Sequence, residues 1–162
     1  MKTMKLVLVA VALATFFSSC KKSSEDTAIV GNGFLNAKVD GAAFTSTLAV
    51  TGTITTGSPK VFAVAGTGSN GQINLNIGNY TGPGTYTIGA SGAAGNAAIY
   101  ALTATPFTAY TANFVLGSGS IVVSAESGGY VEGTFSFSGK NNSGGSITSK
   151  EITEGSFKVK LQ

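Results

Sequence analysis

The sequence predicts an all-β protein: an antiparallel β-sandwich of about nine or ten strands, with a small flattened β-barrel as the alternative. Apolar and polar residues alternate with a period of two along most of the chain, and glycine-rich turn signals separate the alternating runs. No helical stripe of apolar residues follows residue 20. Strands with one apolar and one polar face are typical of antiparallel sheets that pack on one side.

The N-terminal region predicts a secreted, lipid-anchored protein. Residues 1–19 are interpreted as a lipoprotein signal peptide, because two lysines precede an uncharged apolar run over residues 6–17. That run is too short for a membrane-spanning helix, which needs roughly 20 apolar residues. It ends at Cys20, the only cysteine of the chain, directly after two serines. We therefore expect lipidation and cleavage at Cys20; the alternative is an ordinary signal peptide that contains a cysteine.

Several acyl chains on Cys20 would anchor the protein stably to a membrane, whereas one chain anchors only marginally. Residues 20–28 are polar and unpatterned, which predicts a flexible tether. Loss of the signal removes two lysines and no acid, so 8 lysines remain against 7 acids and the net charge falls from +3 to +1. A mature chain this close to neutrality gives no electrostatic basis for binding nucleic acid.

Residues 29–162 are predicted to form a single domain, large enough to bury one core. Alternation predicts burial of seven apolar residues: Ile73, Leu75, Ile77, Phe135, Phe137, Phe157 and Val159. The strands are expected near residues 33–39, 43–51, 60–66, 71–78, 85–88, 97–103, 107–116, 120–126, 130–138 and 154–161.

Turn residues and one internal sequence similarity, which we call the echo, predict how strands are connected. Asp40-Gly41 is a strong hairpin signal, because both residues accept a positive φ. Residues 131–137 (VEGTFSF) resemble residues 153–159 (TEGSFKV). We interpret the echo as two neighbouring strands of similar exposure, joined by a polar loop from Gly139 to Lys150, rather than as a functional repeat.

Four segments occur in a characteristic order: residues 34–41 (FLNAKVDG), 44–46 (FTS), 77–86 (IGNYTGPGTY) and 131–137 (VEGTFSF). Together they resemble an uncharacterised family of small Bacteroidota-type lipoproteins that carry an all-β domain of unknown function. The resemblance spans nearly all of the mature chain. It implies an envelope location and an all-β fold, and it carries over no activity and no functional residues.

The inventory of reactive side chains argues against catalysis. The chain has no histidine and no arginine, and its one thiol is assigned to the anchor. Glu126 and Glu132 flank a turn and are the candidate carboxylate pair for glycoside hydrolysis, but alternation favours two solvent-facing charges. We expect no enzyme activity, no cofactor and no metal site.

Exposed tyrosines are the remaining binding signal. Tyr80 precedes a turn and Tyr130 is in phase with the polar face of its strand, so both are candidate ligand contacts. The predicted function is a structural or interaction role for a membrane-anchored envelope lipoprotein, most naturally in the outer membrane, with an envelope protein or a glycan as partner. The alternative is a binding module for a glycan or a small apolar ligand.

Overall fold

A computed structural model of the chain describes residues 33–92 and 95–162. Eleven β-strands and no helix occur in these residues, so the predicted fold class is confirmed. The strands are β1 (Gly33–Val39), β2 (Ala42–Thr45), β3 (Ala49–Ile54), β4 (Phe62–Thr67), β5 (Gly71–Ile77), β6 (Gly84–Ile88), β7 (Ala97–Leu102), β8 (Thr108–Ala112), β9 (Ser118–Ser127), β10 (Tyr130–Ser143) and β11 (Ser146–Lys160).

The strands form one antiparallel sheet that curls into a half-barrel. The order along the sheet is β2-β1-β11-β10-β8-β7-β5-β4-β3, and β9 and β6 branch from the side of β10. At the far edge, Gly52 of β3 forms a parallel bridge to Leu161, just after β11. The two edges of the curled sheet therefore nearly meet, and the fold is compatible with both a sandwich and a flattened barrel.

The inner surface of the curl is the hydrophobic core. All seven residues predicted to be buried are buried, with at most 4% of each side chain exposed. Phe62 of β4 lies across the core from Phe157 of β11, with ring centroids 6.1 Å apart. Among residues 33–92 and 95–162, no helix is long and apolar enough to cross a membrane.

The prediction of one strand over residues 43–51 is wrong, because residues 46–48 interrupt it and separate β2 from β3. Ser46 is fully buried at the break. Its N–H donates to the Leu35 carbonyl oxygen at 2.9 Å, and its hydroxyl accepts from the Leu35 N–H at 2.9 Å. The next N–H, of Thr47, donates to the Thr67 carbonyl oxygen at 3.1 Å. The chain thus transfers from β1 to β4, a tertiary event that no glycine or proline marks in the sequence.

The polar loop expected from Gly139 to Lys150 is also wrong. Strands β10 and β11 continue through it and meet at a two-residue turn, Gly144-Gly145, where φ is +71° and +82°. Both angles suit the turn type that matches the twist of a hairpin. Residues 142–149 are all exposed, so both faces of this ribbon are in solvent. We call residues 142–149 the finger; its polar residues lack the alternation by which strands are recognised.

The internal echo does mark neighbouring strands, as predicted, and the structure shows why its glycines recur. Gly133 is paired with Phe157, and Phe135 is paired with Gly155. A Cβ atom on Gly155 would lie 2.6 Å from the Phe135 ring, and one on Gly133 would lie 2.7 Å from the Phe157 ring. Each aromatic ring therefore covers the glycine opposite it, and the Glu-Gly-x-Phe phrase is repeated because antiparallel pairing makes the arrangement reciprocal.

Candidate functional site

The structure separates the residues that the sequence singled out. Cys20, the signal peptide and the tether lie outside the described residues. Tyr80 and Tyr130 both lie near the turn between β9 and β10, but on opposite sides of the sheet, so they do not form one binding surface.

The expectation that Tyr80 is exposed is wrong, because only 4% of the residue is exposed. Its ring packs against Phe62 and Tyr86, with centroid distances of 5.1 and 5.9 Å. Its hydroxyl donates to the Glu126 Oε2 atom at 2.7 Å. Burial, reinforced by the Glu126 carboxylate, raises the pKa of Tyr80 above its usual range. Tyr80 therefore closes one end of the core, where its ring is buried against the rings of Phe62 and Tyr86.

Tyr130 is half-buried on the outer face of the sheet. The ammonium of Lys158 lies 5.4 Å from the centre of its ring and also contacts Glu132 Oε1 at 2.5 Å. This arrangement is a cation–π contact within an exposed ion pair. One tyrosine edge beside a paired charge offers little surface for a ligand.

Glu126 and Glu132, the candidate carboxylate pair, do not face each other. Glu126 is opposite Val131 and Glu132 is opposite Ala125, successive positions that point to opposite faces of the sheet. They therefore cannot act as a carboxylate pair across one substrate. In the described part of the chain, no group of three or more acidic, histidine or cysteine side chains could hold a metal ion.

The two ends of the curled sheet differ, and we name them by where the described chain begins. Gly33 starts β1 opposite Val159, beside the β9–β10 turn, where the Leu161 N–H donates to the Gly129 carbonyl oxygen at 2.8 Å. This is the proximal end. The distal end carries the connections at residues 40–41, 68–70, 103–107 and 144–145. Leu48 lies beside the second of these, because its N–H donates to the Thr67 carbonyl oxygen at 3.0 Å.

Exposed apolar side chains are concentrated at the distal end. The five large ones among the described residues include Leu48, Phe107 and Ile147, which are 69%, 75% and 62% exposed and lie in or beside distal connections. The other two, Phe114 and Val115, lie on the β8–β9 connection. Sequence reasoning missed this grouping. Each residue is isolated in its own segment, and only the fold places the segments along one rim.

A cleft of about 170 Å³ also opens at the distal end, between the β1–β2 hairpin and the β4–β5 turn. Phe44 and Tyr100 form its aromatic wall, with rings 6.2 Å apart and perpendicular. Ser69 and Asn70 supply a hydroxyl and an amide at the rim. The residues that line the cleft are Val39, Ala42, Ala43, Phe44, Thr45, Ser69, Asn70 and Tyr100, none of which is charged.

Charges surround this cleft but neutralise each other. Lys150 Nζ lies 2.6 Å from Asp40 Oδ2. That contact, with a hydrogen bond from the Glu151 N–H, holds the pKa of the Asp40 carboxyl below its usual range, and the Asp40 carboxylate raises the pKa of Lys150. Burial raises the pKa of the Tyr100 phenol, so its hydroxyl stays neutral. The cleft therefore suits a small uncharged group with both apolar and hydroxyl surface.

Comparison with known proteins gives a family and no activity. No curated protein and no solved structure matches this chain. A family model described as a domain of unknown function (DUF6252) matches residues 31–159, which includes all eleven strands except the last residue of β11. The chain belongs to the DUF6252 family.

Proposed function

We propose that this protein is a lipid-anchored component of a bacterial cell envelope, held in the outer membrane through Cys20, with a domain that presents an interaction surface. One observation carries the interaction role. The described chain starts at the proximal end, whereas Leu48, Phe107 and Ile147 are exposed at the distal end. A tether over residues 20–28, which precedes Gly33, would leave the distal end pointing away from the membrane.

Support for the anchor comes from the sequence. Cys20 follows an apolar run of signal-peptide length and is the only cysteine, and the chain resembles Bacteroidota-type lipoproteins. Three large apolar side chains exposed in or beside distal connections add a reason for a partner that is independent of the anchor. The partner class is an envelope protein or a glycan, and nucleic acid is not part of the proposal.

The anchor is tested with Cys20→Ser in the full chain, expressed in a bacterium that processes lipoproteins and grown with labelled palmitate. We expect the wild type to incorporate label and to fractionate with the outer membrane. Cys20→Ser should incorporate none and should accumulate as an uncleaved or mislocalised precursor. Ser19→Ala is the matched control, because it keeps a small residue before the cysteine. Normal membrane fractionation of Cys20→Ser would refute the anchor.

The distal cleft favours a second candidate, a binding module for a neutral glycan residue or a small apolar ligand. Its volume is below the roughly 300–1,000 Å³ of pockets that enclose drug-sized ligands, so it would hold one ring or one side group. Titration of the purified protein with neutral sugars, in a detergent without a sugar headgroup, tests this. We expect saturable binding that Asn70→Ala weakens and that Thr85→Ala, at an exposed residue of β6, does not. Equal affinities in both variants would exclude the cleft.

Catalysis is not part of the proposal. Two lysines differ in setting: Lys150 is paired with Asp40, and Lys60 shares a proximal cleft with Tyr80 and Glu126. In that proximal cleft the Glu126 carboxylate is already bound by the Tyr80 hydroxyl. A hydrolase screen of the purified protein checks this, and turnover lost in Glu126→Gln or Glu132→Gln would overturn it.

A further inference from the structure

We propose that two copies of this chain associate through their fingers, with the β11 edges side by side and antiparallel. This inference concerns the finger alone and does not depend on the lipid anchor. The finger, residues 142–149, has no partner strand on its β11 side among the described residues. It offers backbone hydrogen-bonding groups and one exposed apolar side chain, Ile147.

The direction of the backbone groups follows from the contacts of Glu151. The Asp40 N–H donates to the Glu151 carbonyl oxygen at 2.8 Å, and the Glu151 N–H donates to Asp40 Oδ1 at 2.9 Å. The backbone of Glu151 therefore points away from β10. In an antiparallel pair every second residue points the same way, and the β10–β11 register is regular from Ile152 to the turn. Ile147 and Ser149 thus direct their N–H and C=O groups outward.

Strand β1 covers this side of β11 only as far as Asp40. Beyond that point β11 continues without β1, so the β1–β2 hairpin and the β11 edge form a step. An approaching strand would find two N–H and two C=O groups along the step. Its end would meet the Asp40-Gly41 turn, which limits the added strand to about the length of a finger.

The finger lacks the features that usually protect a sheet edge. Edges are commonly blocked by charged residues, prolines or bulges, and residues 142–149 contain no charged residue, no proline and no register shift. Other edges are partly occupied. On β3, the Gly52 carbonyl oxygen accepts from the Gln162 N–H at 3.2 Å. On β6, the Thr87 carbonyl oxygen accepts from the Asn96 side chain at 3.0 Å.

A second copy fits the step because the finger is self-complementary. A twofold axis can place Ile147 opposite the partner's Ile147 as a hydrogen-bonded antiparallel pair, with the same surface used on both sides. That arrangement forms two backbone hydrogen bonds at the axis and covers the one large apolar side chain of the finger. Lys150, the nearest cation on β11, is already neutralised by Asp40 at 2.6 Å, so repulsion between copies is small.

Cysteine cross-linking of the full chain tests the register. In such a pair the two Cα atoms of residue 147 lie about 5.5 Å apart, within the roughly 4.4–6.8 Å that a disulfide spans. Ser149→Cys is the matched control, because Ser149 is on the same exposed edge but its copies would lie four residues out of register. We expect Ile147→Cys to give at least tenfold more oxidised dimer than Ser149→Cys. Equal yields, or no dimer from Ile147→Cys, would overturn the proposal.

The wild-type chain in the same experiment reports on Cys20 separately. A reactive Cys20 would refute lipidation without bearing on the finger. Sedimentation of the purified full chain in detergent gives the second measurement. We expect a dimer that forms with rising concentration in the wild type and is lost in Ile147→Lys, with an unchanged far-ultraviolet circular dichroism spectrum. A monomeric wild type, or a dimer that persists in Ile147→Lys, contradicts the proposal.

Discussion

The core is closed at the proximal end of the curled sheet and is left partly open at the distal end. At the proximal end, aromatic side chains close the core: Tyr80 stacks on Tyr86, and the Tyr86 hydroxyl donates to the Gly82 carbonyl oxygen at 2.6 Å. At the distal end, Phe107 and Leu48 remain in solvent and a cleft stays open beside Phe44. A curled sheet needs its open ends covered to protect the core, and the interaction surface that we propose lies at the end that is left uncovered.

At the proximal end, the side chains that close the core are apolar toward the core and polar at their outer ends. The rings of Tyr80 and Tyr86 bury their apolar bodies while their hydroxyls satisfy Glu126 and a backbone carbonyl. Burying these rings stabilises the fold and leaves no orphaned polar group. The exposed distal side chains make no comparable contribution to stability, and they belong to the interaction surface that we propose.

The largest expected difference between the ends is in core truncation. Phe62 is 1% exposed and packs against both Tyr80 and Phe157. We expect Phe62→Ala to lower the free energy of unfolding by about 3–5 kcal/mol, because it leaves a cavity. Phe107→Ala, at a side chain 75% exposed, should change it by less than about 0.5 kcal/mol. Urea denaturation followed by circular dichroism measures both, and comparable losses would remove the distinction between the ends.

A glycine substitution tests the aromatic layer that connects the two ends. A Cβ atom on Gly155 would lie 2.5 Å from the Phe135 carbonyl oxygen, which belongs to the neighbouring strand and cannot move freely. We expect Gly155→Ala to destabilise the protein by about 1–3 kcal/mol through overpacking. Gly84→Ala is the control, because its nearest atom is 4.0 Å away. The midpoint shift in urea measures the effect, and a Gly155→Ala midpoint equal to that of Gly84→Ala would count against the packing argument.

The smallest expected effect is that of the Tyr80 hydroxyl. Tyr80→Phe removes one hydrogen bond to an exposed carboxylate, so we expect a loss of about 0.5–1.5 kcal/mol at neutral pH. Because burial and Glu126 raise the pKa of Tyr80, the folded state favours the neutral phenol. Its stabilising contribution is complete below the unfolded pKa of 10.0 and is lost as pH rises beyond that value.

The pH dependence isolates the contribution of this hydroxyl. Between pH 9 and about 11, the wild type should lose more stability than Tyr80→Phe does, as measured by thermal unfolding at each pH. If both proteins lose the same stability over this range, Tyr80 does not close the proximal end in the way described.

Much of the fold was predictable because alternation reports which side of a strand is buried. Residues such as Ile73, Leu75 and Phe137 face inward wherever the sheet curls, so their burial did not depend on topology. The Asp40-Gly41 turn was also predictable, since φ of +48° and +83° requires residues that tolerate it. The finger was missed because a ribbon with both faces in solvent has no apolar periodicity, although its Gly144-Gly145 turn carried a signal.

The sequence by itself determined the all-β class, the inward residues, the pairing of the echoed segments and the predicted anchor at Cys20, since each depends on local chemistry or on a period of two. Only the tertiary structure decided that the chain crosses from β1 to β4 at Ser46, that Tyr80 is buried, and that Phe107, Leu48 and Ile147 share one end. Those outcomes depend on which strands become neighbours. Neighbours are selected by packing across the curled sheet, and residues distant in sequence contribute to that packing without leaving a local pattern.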